Sequence, residues 1–237
     1  MTGILILGFL IGLRHALEAD HLAAVATLVS RSPEAREAWP LGALWGLGHT
    51  ATLFIVGGVV MALSSAVPED ISRYIELAVG VMLVILGADV FYRVVRDKVH
   101  FHGHRHGEEA VHFHAHSHAF EAKADHDPAA HHHRHRHHMR IRATLVGVMH
   151  GLAGSAALVI LSAKAAPTYI GGLMYIAVFG AGSIAGMAAM SVIIAAPMAF
   201  AARSLTWTFN GLKGAVGLGT IALGVFIIYR SGFASLV

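Results

Sequence analysis

The chain has 237 residues, of which 56% are hydrophobic and only 13% charged, with a formal net charge of +3. That balance excludes a soluble globular domain and defines an integral membrane protein, with the lipid bilayer as its partner. There is no cysteine, so disulfides and thiolate metal sites are excluded. Any metal must then be held by nitrogen and oxygen ligands, which suits Ni, Co, Zn, Mn or Fe and not Cu(I).

The apolar pattern predicts an all-α protein with six transmembrane helices. The first span, Ile4–Val29, has no basic region ahead of it and is expected to be retained, not cleaved as a signal. A polar turn, Ser30 to Glu37, leads to the second span, Trp39–Leu63. After Pro68-Glu69-Asp70 comes the third, Ile75–Val94. A polar insert follows. The fourth span is read at Ala143–Lys164, the fifth at Tyr169–Phe200 and the sixth at Leu212–Tyr229. The chain thus divides into a first three-helix unit (1–96), a His-rich loop (97–141) and a second three-helix unit (142–237).

The middle of the first span carries Gly12-Leu13-Arg14-His15-Ala16-Leu17-Glu18-Ala19-Asp20-His21. An ionisable residue at that depth costs roughly 3 kcal/mol and persists only if it faces a partner, a cavity or an ion. Two imidazoles and two carboxylates so close together form a cation-ligand set. On a straight helix, at about 100° per residue, His15, Glu18 and His21 share one face. Arg14 falls within that face and can pair with Glu18 at i,i+4. Asp20 lies about 100° away from His21 and joins the set only if the helix bends or unwinds, as helices do at many transporter sites. Otherwise it would orient a ligand histidine from behind. Which carboxylate is the direct ligand stays open. The structural alternative is a buried polar network that locks helix packing.

The halves repeat. Gly12-x-x-His15-Ala16-Leu17 matches Gly147-x-x-His150-Gly151-Leu152, and Gly46-x-Gly48 matches Gly180-x-Gly182. Ala78-Val79-Gly80, Leu86-Gly87 and Tyr92-Arg93 match Ala215-Val216-Gly217, Leu223-Gly224 and Tyr229-Arg230 at one constant offset. Three spans is an odd number, so the second copy must enter the membrane from the opposite side. This predicts an inverted 3+3 repeat with a site between the copies. Under this match His15 pairs with His150, Asp20 and His21 face Ser155 and Ala156, and His49 faces Ser183. One asymmetric site between the first, second and fourth spans is expected, with His150 in it and the hydroxyls of Thr50, Ser155 and Ser183 as supporting or alternative ligands.

The insert is low in complexity. It holds His100, His102, His104 and His106, then His112, His114, His116 and His118, then His131, His132, His133, His135, His137 and His138. It is expected to be disordered without metal and to bind borderline divalent ions as an auxiliary site. Lys and Arg crowd the loops on its side (Arg31, Arg36, Arg93, Arg96, Lys98, Arg140, Arg142, Arg203), against Arg73, Lys164 and Arg230 on the other. The positive-inside rule makes the insert cytoplasmic in a cell (inner) membrane, with both termini outside. The basic balance comes from loops and does not indicate nucleic acid. Asp89 and Arg93 are read as an interfacial ion pair, and Trp45 as core packing.

At Arg14-His15-Ala16-Leu17-Glu18-Ala19-Asp20-His21 the sequence resembles the nickel/cobalt transporter family, marked by His-x4-Asp-His in a transmembrane helix. Leu47-Gly48-His49-Thr50 looks like the Leu-Gly-His-Ser/Thr motif of that family's next helix. The resemblance implies Ni²⁺ or Co²⁺ as transported substrate, with no resident cofactor, and His15, Asp20, His21 and His49 as ligands. Glu18 stands where the family often has Asp. Six spans and a His-rich loop look more like its short urease-accessory-like permeases and its efflux branch. The expected function is a secondary transporter of Ni²⁺ or Co²⁺, with uptake favoured. The alternatives are efflux of Ni, Co or Zn fed by the loop and, further off, a membrane metalloenzyme. No His-Glu-x-x-His is present, and the chain is not expected to be an enzyme. Homo-oligomers and a metallochaperone partner are left open.

Overall fold

The computed structural model describes residues 2–30, 35–63, 69–96, 100–104, 112–116, 138–153, 168–204 and 206–232. The expected first span is two helices. α1 (Thr2–His15) and α2 (Ala19–Val29) are separated by Ala16, Leu17 and Glu18. Glu18 is extended, with φ −65° and ψ 147°, and its carbonyl accepts the Leu22 N–H at 2.9 Å to start α2. At 1.5 Å per residue these helices are about 21 and 16 Å long, so neither alone crosses a hydrocarbon core of about 30 Å.

Among the described residues, four helices are long and apolar enough to cross by themselves: α3 (Ala35–Ala62), α4 (Glu69–Arg96), α6 (Tyr169–Ser204) and α7 (Thr206–Gly232). Between α4 and α6, residues 138–153 are helical and form α5. Most of these helices overrun the boundaries expected from the sequence, because hydropathy marks the apolar window and a helix continues through polar residues beyond it. His138, Met139, Arg140 and Ile141 accordingly belong to α5 and not to the loop.

The helices pair in two antiparallel couples. α3 runs against α6: Gly42 lies beside Met187 and Ser191 at one end, and Gly58 beside Leu173 at the other. α4 runs against α7 over a glycine seam. A Cβ on Gly87 would sit 2.6 Å from the Gly217 carbonyl oxygen, and one on Gly224 would sit 2.6 Å from that of Gly80. Both distances are shorter than real carbon–oxygen contacts, so only glycine lets these backbones come so close. Arg73 fastens the same couple at its end. Its guanidinium donates to the Ser231 and Gly232 carbonyls at 2.5 and 2.6 Å, and the Ser231 hydroxyl donates to Glu76 at 2.8 Å. These carbonyls are ones a helix C-terminus leaves unpaired.

α1 lies along α6, while α2 packs among α3, α4, α6 and α7. Val25, Leu28, Trp45, Leu83, Met187 and Met198 form the main buried core around α2. A second cluster, Leu53, Tyr175, Ile176 and Phe179, lies between α3 and α6. Asp89 accepts from Arg93 at 3.2 Å, the expected pair, and Arg142 from α5 joins it at 3.1 Å.

Most of the insert, on which the expected disorder falls, lies outside the described residues; two short segments of it are described. β1 (His100–His104) and β2 (His112–His116) pair antiparallel, in the register His100↔His116, His102↔His114 and His104↔His112. A His-x-His-x-His run has period two, which is also the period of a strand, and Phe101 and Phe113 favour one.

Candidate metal centre

The break between α1 and α2 sets the geometry. His15 is the last residue of α1, and Asp20 and His21 open α2. A carboxylate in a helix's first turn is favoured by the backbone dipole. Here Asp20 Oδ1 accepts the His21 backbone N–H at 2.9 Å and His21 Nδ1–H at 3.0 Å. His49 arrives from the middle of α3 and His150 from α5. The His15 ring stands 4.5 Å from His21 and 5.2 Å from His49, and the His21 ring stands 4.9 Å from His150, measured between centroids. His21, His49 and His150 are at most 2% exposed.

Three of the four imidazoles are anchored in the same way. Nδ1 of His15 bonds Glu18 Oε1 at 2.8 Å, Nδ1 of His21 bonds Asp20, and Nδ1 of His150 bonds the Val146 carbonyl at 3.2 Å. Each acceptor fixes the proton on Nδ1 and leaves Nε2 with its lone pair free. Those three Nε2 atoms and both nitrogens of His49 are buried with no hydrogen-bond partner among the described residues. Each such orphan costs about 1–3 kcal/mol. Such nitrogens facing one another are lone-pair donors of the kind a borderline divalent ion takes. Donor atoms of His15, His21 and His49, and those of Asp20, His21 and His150, lie within 4.8 Å of one another in each group. Asp20 Oδ2 is 3.6 Å from His150 Nε2.

The structure therefore brings together His15, Asp20, His21, His49 and His150. Glu18 lies outside the cluster with a 56% exposed side chain and reaches it only through His15 Nδ1. Arg14 is exposed on α1, and the i,i+4 relation expected with Glu18 is lost because the helix ends between them. The Thr50 hydroxyl donates to the Gly180 carbonyl at 3.2 Å, and the Ser183 hydroxyl to the Gly12 carbonyl at 3.2 Å, so both serve helix contacts. Ser155 lies outside the described residues, as do His106, His118, His131, His132, His133, His135 and His137. His138 begins α5 and is exposed.

Two aromatic side chains escaped the sequence reading. Trp45 was expected to be core, and it is fully buried, but its ring also lies tilted 5.3 Å from His21 and edge-on 5.5 Å from His150. Phe179 stands 5.3 Å from His15. A signal for it existed: Phe179 precedes Gly180 as Trp45 precedes Gly46.

Long apolar helices around a largely buried histidine–aspartate cluster are the build of a helical membrane protein. The chain belongs to the NicO family of high-affinity nickel-transport proteins, whose model matches residues 1–230. It is 30% identical to the urease accessory protein UreH of Bacillus sp. (strain TB-90), over 98% of this chain and 93% of that protein. It is also 27% identical to the chloroplast protein FOR GROWTH AND FERTILITY 1 of Arabidopsis thaliana, over 96% of this chain and 60% of that one. FOR GROWTH AND FERTILITY 2 of the same plant is 26% identical over 95% of this chain, which spans 56% of its length. No solved structure matches the chain.

Proposed function

We propose that this chain is a secondary transporter that takes up Ni²⁺, Co²⁺ or both, through His15, Asp20, His21, His49 and His150. The observation that carries this reading is the set of buried imidazole nitrogens without partners at the break between α1 and α2. Neutral imidazoles and one carboxylate are the donors that borderline divalent ions prefer. A hydrated dication would exchange its waters for these donors and leave again by ligand exchange. The membrane potential contributes about 2.3 kcal/mol per charge per 100 mV, so about 4.6 for a dication moving inward, and uptake needs no further coupling.

Alternating access asks for two related halves, and the glycine contacts support the inverted 3+3 repeat. Gly12 abuts Phe179 as Gly147 abuts Trp45. Gly48 abuts Thr144 as Gly182 abuts Phe9, and Gly46 abuts Ile184 as Gly180 abuts Thr50. Gly80 abuts Gly224 as Gly217 abuts Gly87. At the offsets read from the sequence, each contact is the image of the other under exchange of the halves. Antiparallel pairing of α3 with α6 and of α4 with α7 is what inverted copies require. The His-rich insert would lie on the cytoplasmic side and receive the incoming ion.

Accumulation of ⁶³Ni²⁺ in cells tests this. Expression of the chain should raise accumulation above the empty vector, and His15→Ala/His21→Ala should abolish the rise. Deleting residues 100–138 should leave uptake in place with altered affinity. Motif-dependent loss of nickel from the cells would make the protein an exporter. No difference at verified expression would remove the nickel reading.

A further inference from the structure

We propose that the cluster offers a dication two overlapping three-donor positions, one on His15, His21 and His49 and the other on Asp20, His21 and His150, and that the ion changes position on His21. The proposal rests on the transport reading above. Donor atoms within each group lie within 4.8 Å of one another, but the five residues do not form one such group. With metal–ligand bonds of about 2.1 Å, two donors on one ion stand at most about 4.2 Å apart. One ion therefore reaches three of the five residues with little movement and not all five. His21 alone is common to both groups. Its Nδ1 is held by Asp20 Oδ1 at 3.0 Å, so Nε2 is its one free lone pair. On this proposal both positions use that lone pair, which serves one ion at a time, so they exclude each other.

They also differ chemically. The first has three neutral imidazoles, and the second has two imidazoles and an anionic oxygen, which is harder and neutralises part of the dication's charge. A shift from one to the other trades His15 and His49 for Asp20 and His150 while His21 stays bound. The ion is never stripped of protein ligands, which keeps the barrier between the positions low.

The test uses the full chain in detergent with the histidines of residues 100–138 replaced by glutamine, titrated with CoCl₂. Visible absorption reads the coordination and elemental analysis reads the stoichiometry. We expect one Co²⁺ per chain. His49→Ala and His150→Ala should each retain one Co²⁺, with absorption bands shifted apart because each variant keeps a different donor set. His21→Ala should lose the bands. Two Co²⁺ per chain would overturn mutual exclusion. Loss of the bands in His49→Ala and His150→Ala alike would mean one indivisible site, overturning the proposal and leaving the transport reading standing. Absence of any Co²⁺ or Ni²⁺ binding would instead sink the transport reading itself. Circular dichroism checks each variant, and a variant with reduced helix content is replaced by its glutamine counterpart, judged by the same outcomes.

Discussion

Glu18 and Asp20 show how two carboxylates separated by one residue in the chain acquire different surroundings. Both belong to the motif, and a straight helix would aim Glu18 at the histidines and turn Asp20 away. The break reverses this. Asp20 enters the cluster with one oxygen holding His21 and the other facing His150, while Glu18 stays outside and holds the proton of His15 Nδ1. On the proposed site, Glu18 would act as a positioning residue for His15. Removing such a partner of a ligand histidine typically weakens metal affinity about 10- to 100-fold. Glu18→Ala should show a loss of that size in a Co²⁺ titration, and Glu18→Gln a smaller one, because its amide oxygen still accepts from Nδ1–H. Equal, wild-type affinity in both would show that His15 needs no such partner. Affinity in every form should also fall as pH is lowered, because protons compete for the free imidazole nitrogens.

At the scale of elements, the sequence was most legible where composition and spacing speak directly. The long helices follow from apolar runs, and the candidate ligands follow from histidines and carboxylates placed within an apolar run, where they are costly without a partner. The break between α1 and α2 was not legible in the same way. Ala16 and Leu17 are good helix formers, and no proline or glycine lies between Leu13 and Val29. What interrupts the helix is tertiary: the cluster gathers donors from both sides of the interruption, which one continuous face would not present together. The close approach of α1 to α6 is equally local in its cause. A Cβ on Gly12 would collide with the carbonyl of Phe179, whereas one on Gly3 would meet nothing within 4 Å. Gly12→Ala should therefore cost about 1–3 kcal/mol by overpacking, and Gly3→Ala should not destabilise the protein. Thermal unfolding in detergent compares the two, and similar midpoints would contradict the packing.

At the scale of the molecule, orientation is the property most easily tested, because the chain has no cysteine to give background. If the basic loops are cytoplasmic, Lys98→Cys in intact cells should escape a membrane-impermeant maleimide, and Arg230→Cys should react with it. The opposite pattern would invert the topology and with it the side that the His-rich insert serves. The position of Trp45 has an optical consequence. Its indole is fully buried and in ring contact with His21 and His150, whereas Trp39 is 54% exposed. A paramagnetic ion on those histidines would quench the indole's emission at contact range, and diamagnetic Zn²⁺ in the same place would not. With Trp39 and Trp207 changed to phenylalanine, the protein would carry its own fluorescent gauge of occupancy, able to follow an ion's arrival and departure within a single turnover.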